Sequence, residues 1–263
     1  MISFFLFAGE PVLAVEPPMP PDPHPKMSVI PGGPYRAGGD PDQAYHLCKE
    51  VHPNACRMSW FTDEAPVRMI TIDTFQIDTH EVTQAQFEKI MQSNPSKIKG
   101  ARLPVDRVTW HEAATYCRKI GNRLLTEAEW EKAARGGVLT RYPWGDRFAS
   151  GKANHCDRQC QERWRETGFQ DGFSRTGPVG YFPPNGYGVY DMTGNVYEWV
   201  ADWYAKDYYA VRPSHNPPGP REGSSKVIRG GSWINFSVGI RPADRTEADP
   251  DDRMDFTGFR CAR

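Results

Sequence analysis

Three segments of the chain combine a Thr-x-x-Glu/Gln pattern with apolar residues at helical spacing. In such a pattern the threonine hydroxyl accepts a hydrogen bond from a first-turn amide, and the side chain three residues later returns to the threonine amide. The pattern predicts helices over 83–92, 109–120 and 126–135, the last ended by Gly136. In the second helix the apolar face includes Cys117, which is therefore expected to point inward.

Strands are predicted where apolar and polar residues alternate or where β-branched residues cluster. The clearest alternation runs over 68–77, and shorter candidates lie at 226–229 and 257–262. The segments between these elements show neither the helical spacing nor the strand alternation of apolar residues. They contain many of the 24 glycines, 24 prolines and aromatic residues, the last being 12% of the chain. This composition is typical of ordered loops that are fixed by turns and ring packing.

The length fits one globular domain, which we place at 27–263. Before it, residues 1–14 are partly apolar but have no basic start, so they make a weak or incomplete signal peptide. This stretch is also too short to cross a membrane as a helix. Residues 15–26 contain a proline at almost every second position and are predicted to form an extended tether.

The net charge of −1 arises from interspersed acids and bases. A protein that binds nucleic acid usually concentrates lysine and arginine on one face, and no basic stripe is present. The sequence therefore predicts no nucleic-acid partner, and it offers no basic surface to anionic lipid.

Six cysteines permit three disulfides. Cys48 and Cys56 bracket one loop, and Cys156 and Cys160 are close enough in sequence for a local bridge. Two alternatives remain open at this stage: six reduced thiols in a cytosolic protein, or a zinc site that joins His155 to the second pair.

Five phrases stand in a fixed order along the chain: Asp78-Thr79-His80-Glu81-Val82-Thr83, Arg123-Leu124-Leu125-Thr126-Glu127-Ala128-Glu129-Trp130, Gly194-Asn195-Val196-Tyr197-Glu198-Trp199, Val227-Ile228-Arg229-Gly230-Gly231-Ser232-Trp233 and Gly258-Phe259-Arg260-Cys261-Ala262-Arg263. In this order they resemble the formylglycine-generating enzymes, also called sulfatase-modifying factors. The similarity extends over about 27–263, nearly the whole chain.

The resemblance implies an α+β fold that is irregular, loop-rich and related to C-type lectins, with little regular secondary structure. It also implies a long-range disulfide between Cys117 and Cys261, which match two bridged positions of the family. Such a bridge would join the second predicted helix to the last predicted strand.

Two calcium sites are also implied by the resemblance. In the first, the ligands would be side-chain oxygens of Asn154 and Asp171 and backbone carbonyls of His155 and Phe173. In the second, the ligands would be the carboxylates of Asp191 and Glu198 and the carbonyls of Gly194 and Val196. Oxygen ligands on irregular backbone suit calcium better than a transition metal. The alternative is that these acids only accept backbone amides in turns.

In the family, two cysteines after Gly-Gly-Ser bind copper and oxidise a substrate cysteine. Here Asn235 and Ile240 stand at those positions. Neither residue can supply a thiolate to copper(I) or form a mixed disulfide. We therefore expect no copper and no formylglycine generation.

The remaining functional candidates line the family's cleft. Trp233, Asn235, Arg241 and Arg245 could form an aromatic wall with one amide and two guanidinium groups, suited to a peptide, a protein or a small anionic ligand. The alternative is that Trp233 lies in the core and Arg245 pairs with a buried acid such as Asp202 or Glu198.

Two functions follow. The chain is expected to be a calcium-stabilised binding or accessory module in the periplasm or outside the cell. The alternative is a cysteine-independent oxidoreductase of the same family that acts on a peptide or small molecule. A bound transition metal, rather than calcium, would distinguish this alternative.

Overall fold

The computed structural model describes residues 26–263, so the predicted signal remnant and proline-rich tether fall outside the described residues except for Lys26. Short helices and strands are joined by long ordered loops. The α-helices are α1 (Pro41–Val51), α2 (Gln84–Met91), α3 (Trp110–Lys119), α4 (Glu127–Arg135) and α5 (Tyr208–Val211). The strands are β1 (Met27–Ile30), β2 (Gly33–Ala37), β3 (Arg68–Ile72), β4 (Phe75–Asp78), β5 (Arg123–Leu124), β6 (Tyr197–Trp203), β7 (Lys226–Arg229), β8 (Arg245–Ala248), β9 (Thr257–Gly258) and β10 (Cys261–Ala262).

The strands form three small sheets. One has the order β1-β4-β10-β5, a second pairs β2 with β3, and the third has the order β8-β7-β6-β9. Pairing is antiparallel throughout except between β6 and β9. The mixture of helices and strands with long loops confirms the α+β, loop-rich fold expected from the sequence.

The capping pattern correctly predicted α2, α3 and α4. Each of Thr83, Thr109 and Thr126 accepts a hydrogen bond from the amide three residues later, and the side chain at that later position accepts one from the threonine amide. Cys117 is fully buried, as the apolar face of α3 predicted. These helices are readable from sequence because their start signals are local.

Two strand predictions were wrong in extent. The segment 68–77 is divided into β3 and β4, which belong to different sheets. The chain turns between them, where the Asp73 amide donates to Asn216 Oδ1 at 2.9 Å and the Thr74 hydroxyl accepts from the Gly32 amide at 2.9 Å. The buried apolar positions also slip by one residue here, from Ile70 and Ile72 to Phe75 and Ile77, so the reading of one continuous strand overlooked a break in the alternation.

The segment 257–262 is likewise divided into β9 and β10. Between the two strands lie Phe259 and Arg260, both fully buried. Arg260 leaves the strand pattern because its guanidinium binds both carboxylate oxygens of Glu198, at 2.8 and 2.7 Å. The strand from 226 to 229 was predicted with its observed bounds.

Three disulfides link the cysteines in the expected pairs: Cys48–Cys56, Cys117–Cys261 and Cys156–Cys160. The second bridge ties α3 to β10 across 144 residues of sequence. It lies in an apolar cluster that includes Phe87, Tyr116 and Trp199. Within residues 26–263, none of the helices has the length and apolarity that a membrane crossing requires.

The three bridges should differ in their effect on stability. The chain-entropy model gives about 5 kcal/mol for a loop of 144 residues and about 2 kcal/mol for a loop of four. We therefore expect Cys117→Ala/Cys261→Ala to lower the free energy of unfolding by more than Cys156→Ala/Cys160→Ala does. Urea denaturation of both variants measures the difference. Equal losses would contradict loop closure as the source, since all four cysteines are buried.

Candidate functional site

The segment that follows Gly-Gly-Ser forms a tight turn and then a short 3₁₀ helix, Ser237–Ile240. Asn235 Oδ1 accepts hydrogen bonds from the Ser232 amide at 3.0 Å and hydroxyl at 2.8 Å, and its Nδ2 donates to the Tyr197 hydroxyl at 2.8 Å. Ile240 is fully buried beside Tyr142. The two positions at which the family carries its redox cysteines therefore hold an amide that fixes a turn and an apolar core residue.

No thiol elsewhere replaces them. All six cysteines of the sequence are in disulfides, and none is free. A bridged cysteine neither titrates nor binds copper(I) as a thiolate without prior reduction. The zinc alternative for His155 with Cys156 and Cys160 is excluded in this oxidised structure, because the two sulfurs are bonded to each other.

Arg245 is buried and held by an acid from another part of the chain. Its Nε and Nη2 donate to the two carboxylate oxygens of Glu127 at 2.7 and 3.0 Å, and its Nη1 donates to the Asp63 carbonyl at 2.9 Å. The alternative that Arg245 pairs with a buried acid is therefore confirmed, but the acid is Glu127 and neither Asp202 nor Glu198. Glu127 is the first residue of α4, so Arg245 ties this helix to β8.

Arg241 makes a second pair of the same kind. Its Nη1 and Nη2 donate to both carboxylate oxygens of Glu64 at 2.9 and 2.6 Å, and its Nε donates to the Val238 carbonyl at 2.7 Å. Asp244 lies farther away, with Oδ1 at 3.5 Å from Arg241 Nη2. Neither Arg241 nor Arg245 is therefore an open guanidinium waiting for an anion.

A fully buried arginine, Arg229, lies between the two pairs: its Nη1 donates to the Asp244 carbonyl, next to Arg241, and its other side faces carboxylates of helix α4. In the pairing of β7 with β8 it lies directly opposite Arg245. Two guanidinium groups so placed would repel each other, and two carboxylates offset this repulsion. Glu127 Oε1 is 3.7 Å from Arg229 Nε, and Glu131 Oε2 is 3.6 Å from Arg229 Nη2. Glu131 is in turn bound by Arg135 at 2.7 Å. We call the connected set Asp63, Glu64, Glu127, Glu131, Arg135, Arg229, Arg241, Asp244 and Arg245 the ion network.

The ion network sets the charge states of its members. Burial alone would raise the pKa of Glu127, but Arg245 and Arg229 outweigh it and hold the pKa below its usual value. Asp202 lies beside the network without a close cation, and it accepts a hydrogen bond from the Glu127 amide at 2.8 Å. Burial and the charge of Glu127 raise the pKa of Asp202 to about 8.

A cavity of about 530 Å³ opens beside the turn at Asn235, and we call it the cleft. Its lining includes Asn235 and Arg245 but neither Trp233 nor Arg241. Trp233 is buried, with its Nε1 donating to the Asp255 carbonyl at 3.2 Å. Of the four predicted residues, two therefore reach the cleft. A larger cavity of about 620 Å³, lined in part by Trp110 and Arg123, contains none of the four.

The residues of the first predicted calcium site lie close together. Asp171 accepts hydrogen bonds from the His155 and Phe173 amides at 2.9 and 2.8 Å. The Asn154 side chain is buried, donates through Nδ2 to the Arg175 carbonyl at 2.8 Å, and leaves its Oδ1 without a hydrogen-bond partner. A buried acceptor without a donor fits a cation ligand, because such an atom is costly to leave unsatisfied.

The His155 ring of this site lies between two buried carboxylates. Its Nε2 is 3.4 Å from Glu166 Oε2 and its Nδ1 is 3.6 Å from Asp171 Oδ2. Burial would lower the pKa of His155, but the two adjacent carboxylates, Asp171 and Glu166, raise it to about 9. Glu166 also accepts from the Ser237 amide and hydroxyl at 3.2 and 2.9 Å, which attaches this loop to the segment after Gly-Gly-Ser.

The second predicted site is denser in charge than the sequence indicated. Asp191 accepts from the Gly180 amide at 2.6 Å, while both oxygens of Glu198 are bound by Arg260. Two further buried acids, Asp78 and Glu81, lie beside them. Both belong to a phrase that carried the family resemblance, but no role was assigned to them from sequence.

The guanidinium of Arg260 acts on all four of these buried carboxylates. Burial raises the pKa of Asp78 to about 7 and that of Asp191 to about 6. Burial and the charge of Asp191 raise the pKa of Glu81 well above its usual value, and Glu81 Oε2 has no hydrogen-bond partner. This excess of negative charge fits a bound cation.

The two predicted sites are adjacent. Gly194 has φ +85°, and a Cβ at this position would lie 2.0 Å from the Asn154 carbonyl oxygen, so the approach requires glycine. Asn195 donates from its amide to the same carbonyl at 2.9 Å and from Nδ2 to Glu81 Oε1 at 3.0 Å. Within residues 26–263, no three His, Cys, Asp or Glu side chains converge as a ready-made metal site. Calcium would therefore need the carbonyl oxygens as well.

Sequence reasoning missed the five acids of the ion network, Asp63, Glu64, Glu127, Glu131 and Asp244. Glu127 was read only as a residue of the α4 start. The one available signal was its place in a family phrase, and that signal does not name a partner in β8. Ion pairs between segments over a hundred residues apart have no local pattern.

Comparison with known proteins gives a consistent result. The profile of the family described as sulfatase-modifying factor enzyme 1-like domain matches residues 14–263. The formylglycine-generating enzyme of Mus musculus is 32% identical, over 90% of this chain and 74% of the relative. A protein named inactive C-alpha-formylglycine-generating enzyme 2, also from Mus musculus, is 40% identical over 61% of this chain and 49% of its own length. The solved structure of PvdO from Pseudomonas aeruginosa superposes with a TM-score of 0.73 at 28% identity, covering 92% of this chain and 95% of that one.

Asp202 provides a test of the charge states around the ion network. Because its folded-state pKa of about 8 exceeds the ordinary value of 3.8, the native state holds an extra proton between these values, and stability falls as pH rises through this window. Asp202→Asn keeps the acceptor for the Glu127 amide and removes the charge. We expect the variant to match the wild type at about pH 4 and to be more stable at about pH 8 by a few kcal/mol, since one pKa unit is worth about 1.4 kcal/mol.

Urea denaturation at several pH values measures this difference. The matched control is Asp207→Asn at an exposed aspartate, which should leave the pH profile unchanged. A gain for Asp202→Asn that does not vary with pH would show that Asp202 does not titrate in this window.

Proposed function

The chain belongs to the sulfatase-modifying factor enzyme 1-like family, and we propose that it acts as a binding or accessory module that has lost the copper and thiol chemistry. One observation carries this proposal. The positions of the family's redox cysteines hold Asn235 and Ile240, and every cysteine of the chain is in a disulfide. Similarity to a relative named as inactive is in keeping with it.

The cleft is the place where such a module would hold its ligand. It lies beside the turn that Asn235 fixes, where the family's reactive segment runs, and its volume of about 530 Å³ suits a peptide side chain or a small molecule. Tyr197 and Asn235 are hydrogen-bonded to each other on its wall. The ion network behind the wall makes this surface rigid, because Arg245 is held by Glu127 on one side and by the Asp63 carbonyl on the other.

Calcium is part of the proposal. The orphaned Asn154 Oδ1 with Asp171 would contribute to one site, and Asp191 and Glu198 to the other, together with the carbonyl oxygens of His155, Phe173, Gly194 and Val196. When bound, calcium would supply positive charge to loops that otherwise hold mutually repelling carboxylates. Its role in this proposal is structural.

The proposed location is the periplasm or the exterior of the cell. Three disulfides persist most readily in an oxidising compartment, and two of them, Cys48–Cys56 and Cys156–Cys160, close loops around the segment after Gly-Gly-Ser. The Cys156 amide donates to the Asn235 carbonyl at 2.8 Å, so reduction would loosen the wall of the cleft.

The copper prediction separates this proposal from an oxidase. We expect the wild-type protein, titrated with copper(I) against a chromogenic chelator, to bind none at the cleft and to leave a cysteine-containing sulfatase peptide unchanged by mass spectrometry. The matched control is Asn235→Cys/Ile240→Cys, which restores both thiols and should gain copper(I) binding. Stoichiometric copper or iron in the wild-type protein, or oxidation of the peptide, would refute the proposal.

The calcium prediction concerns stability. Adding calcium to chelator-treated protein at about 100 times its Kd should stabilise the fold by about 2.7 kcal/mol per site. For a chain of this size that corresponds to a rise in Tm of roughly 5–10 °C. Asn154→Ala and Asp191→Asn should each reduce the rise, whereas Asp251→Asn, at an exposed position, should not. An equal rise with magnesium, or no rise at all, would argue against calcium sites.

A further inference from the structure

The cavity of about 620 Å³ is separate from the cleft, and the two share no lining residue. We propose that this cavity, which we call the second cavity, binds a small organic anion. Arg118 and Arg263 would bind the carboxylate or phosphate group of the ligand, and an apolar ring of the ligand would lie beside Trp110. The inference goes beyond the proposed function, because it adds a binding site that the proposed function does not use.

Three parts of the fold enclose the second cavity. The turn between β3 and β4 and strand β5 supply one part, helix α3 supplies another through Trp110 and Ala114, and Ala201 of β6 supplies the third. Phe75 and Leu124, both buried, add apolar surface to the lining. Sites for small molecules commonly have volumes of about 300–1,000 Å³ and mostly apolar walls. The second cavity therefore suits a ligand with a hydrophobic body.

The two acids that line the second cavity already have partners. Both carboxylate oxygens of Glu129 accept hydrogen bonds from the terminal nitrogens of Arg123, each at 2.7 Å, so these two charges offset each other. Asp73 Oδ2 accepts from Asn216 Nδ2 at 2.7 Å, and its Oδ1 is 3.3 Å from His215 Nε2. Asp73 is also exposed, so water and salt screen its charge.

The other two arginines of the lining have only uncharged partners. Arg118 Nη2 donates to the Thr115 hydroxyl at 3.0 Å, and Arg263 Nε donates to the Gln76 side-chain oxygen at 3.1 Å. Within residues 26–263, neither guanidinium forms an ion pair with a carboxylate. A guanidinium carries five N–H donors, so both side chains keep donors for a ligand. The lining thus has two positive charges that no acid neutralises.

A buried cation lies against the same wall. Lys226 is buried, and its Nζ is 4.0 Å from the centre of the Trp110 ring, 3.7 Å from that of Trp203, and 2.9 Å from the Ala201 carbonyl oxygen to which it donates. Trp110 and Ala201 both line the second cavity. In the part of the chain that the structure describes, no carboxylate pairs with this ammonium. Burial lowers the pKa of Lys226 to about 8, a cost that an anion in the cavity would reduce.

These features together select the ligand class. A guanidinium can donate two parallel hydrogen bonds to a carboxylate or a phosphate, and such charge-assisted bonds are stronger than bonds to the neutral oxygens of Thr115 and Gln76. An aromatic ring gains further from edge-to-face or offset contact with an indole such as Trp110. The second cavity therefore favours an anion attached to an apolar ring over a bare ion, a neutral ring or a cation.

The experiment compares ligands that share an aromatic body and differ in charge. The full-length protein with intact disulfides is titrated by calorimetry at low ionic strength, because salt screens the exposed arginines. The probes are naphthoate, its neutral amide naphthamide, naphthylmethylammonium, naphthyl phosphate and acetate. We expect naphthoate to bind about tenfold more tightly than naphthamide, since only the anion forms charge-assisted bonds. Acetate and naphthylmethylammonium should show no binding.

Variants locate the site. Arg118→Gln and Arg263→Gln each remove one charge from an exposed position, so they test the site without disturbing the core. Each should weaken naphthoate binding about fivefold, and the double variant should lose the preference for naphthoate over naphthamide. Arg163→Gln, at an exposed arginine outside the lining, is the matched control and should leave the affinity unchanged. Trp60→Ala, at the cleft, should also leave it unchanged.

The outcomes are separable. No binding of naphthoate, equal affinity for naphthoate and naphthamide, or a preference for naphthoate that survives the double variant would overturn the anion site. Binding that is lost in Trp60→Ala but kept in Arg118→Gln would assign the anion to the cleft and would overturn it as well. Tighter binding of naphthyl phosphate than of naphthoate identifies a phosphate as the anionic group, and the reverse identifies a carboxylate. Failure of this inference leaves the copper and calcium results untouched.

Discussion

The fold depends on arginine side chains that are buried and paired with acids distant in sequence. Arg229, Arg241, Arg245 and Arg260 are all buried, and each contacts carboxylates from other segments. Burying such pairs is costly, and removing one partner leaves an uncompensated charge at about 3–5 kcal/mol. In a protein with short strands and long loops, this requirement fixes which loop lies against which helix more strictly than apolar packing does.

The sequence predicts structure well where its signals are local. The capping boxes at Thr83, Thr109 and Thr126 located three helices, because both hydrogen bonds of each box join residues three apart. The interpretation of 68–77 as one strand overlooked the one-residue shift of the apolar positions at Asp73 and Thr74. The turn at these residues depends on Gly32 and Asn216, which lie far away in sequence.

Some features of the candidate site could likewise be predicted from the sequence, and others could not. The absence of cysteine at Asn235 and Ile240 can be read directly from the sequence, and the family resemblance supplied the Cys117–Cys261 bridge, which the structure contains. The calcium ligands come from the same resemblance and stay a prediction. The character of the cleft could not be predicted, because it depends on how Glu64 and Glu127 neutralise the two arginines. Two guanidinium groups in a sequence suggest an anion site, whereas here each of them is paired with a buried glutamate.

Strand β10 lies between β4 and β5 in the first sheet, and it carries Cys261 next to Arg260, the partner of Glu198. The sheet that begins with β1 is therefore incomplete until residue 262 has left the ribosome. Up to that point the edges of β4 and β5 lack their shared neighbour, and the acids around Glu198 lack their cation. The contacts that complete this sheet are therefore of long sequence separation, a feature associated with slow folding.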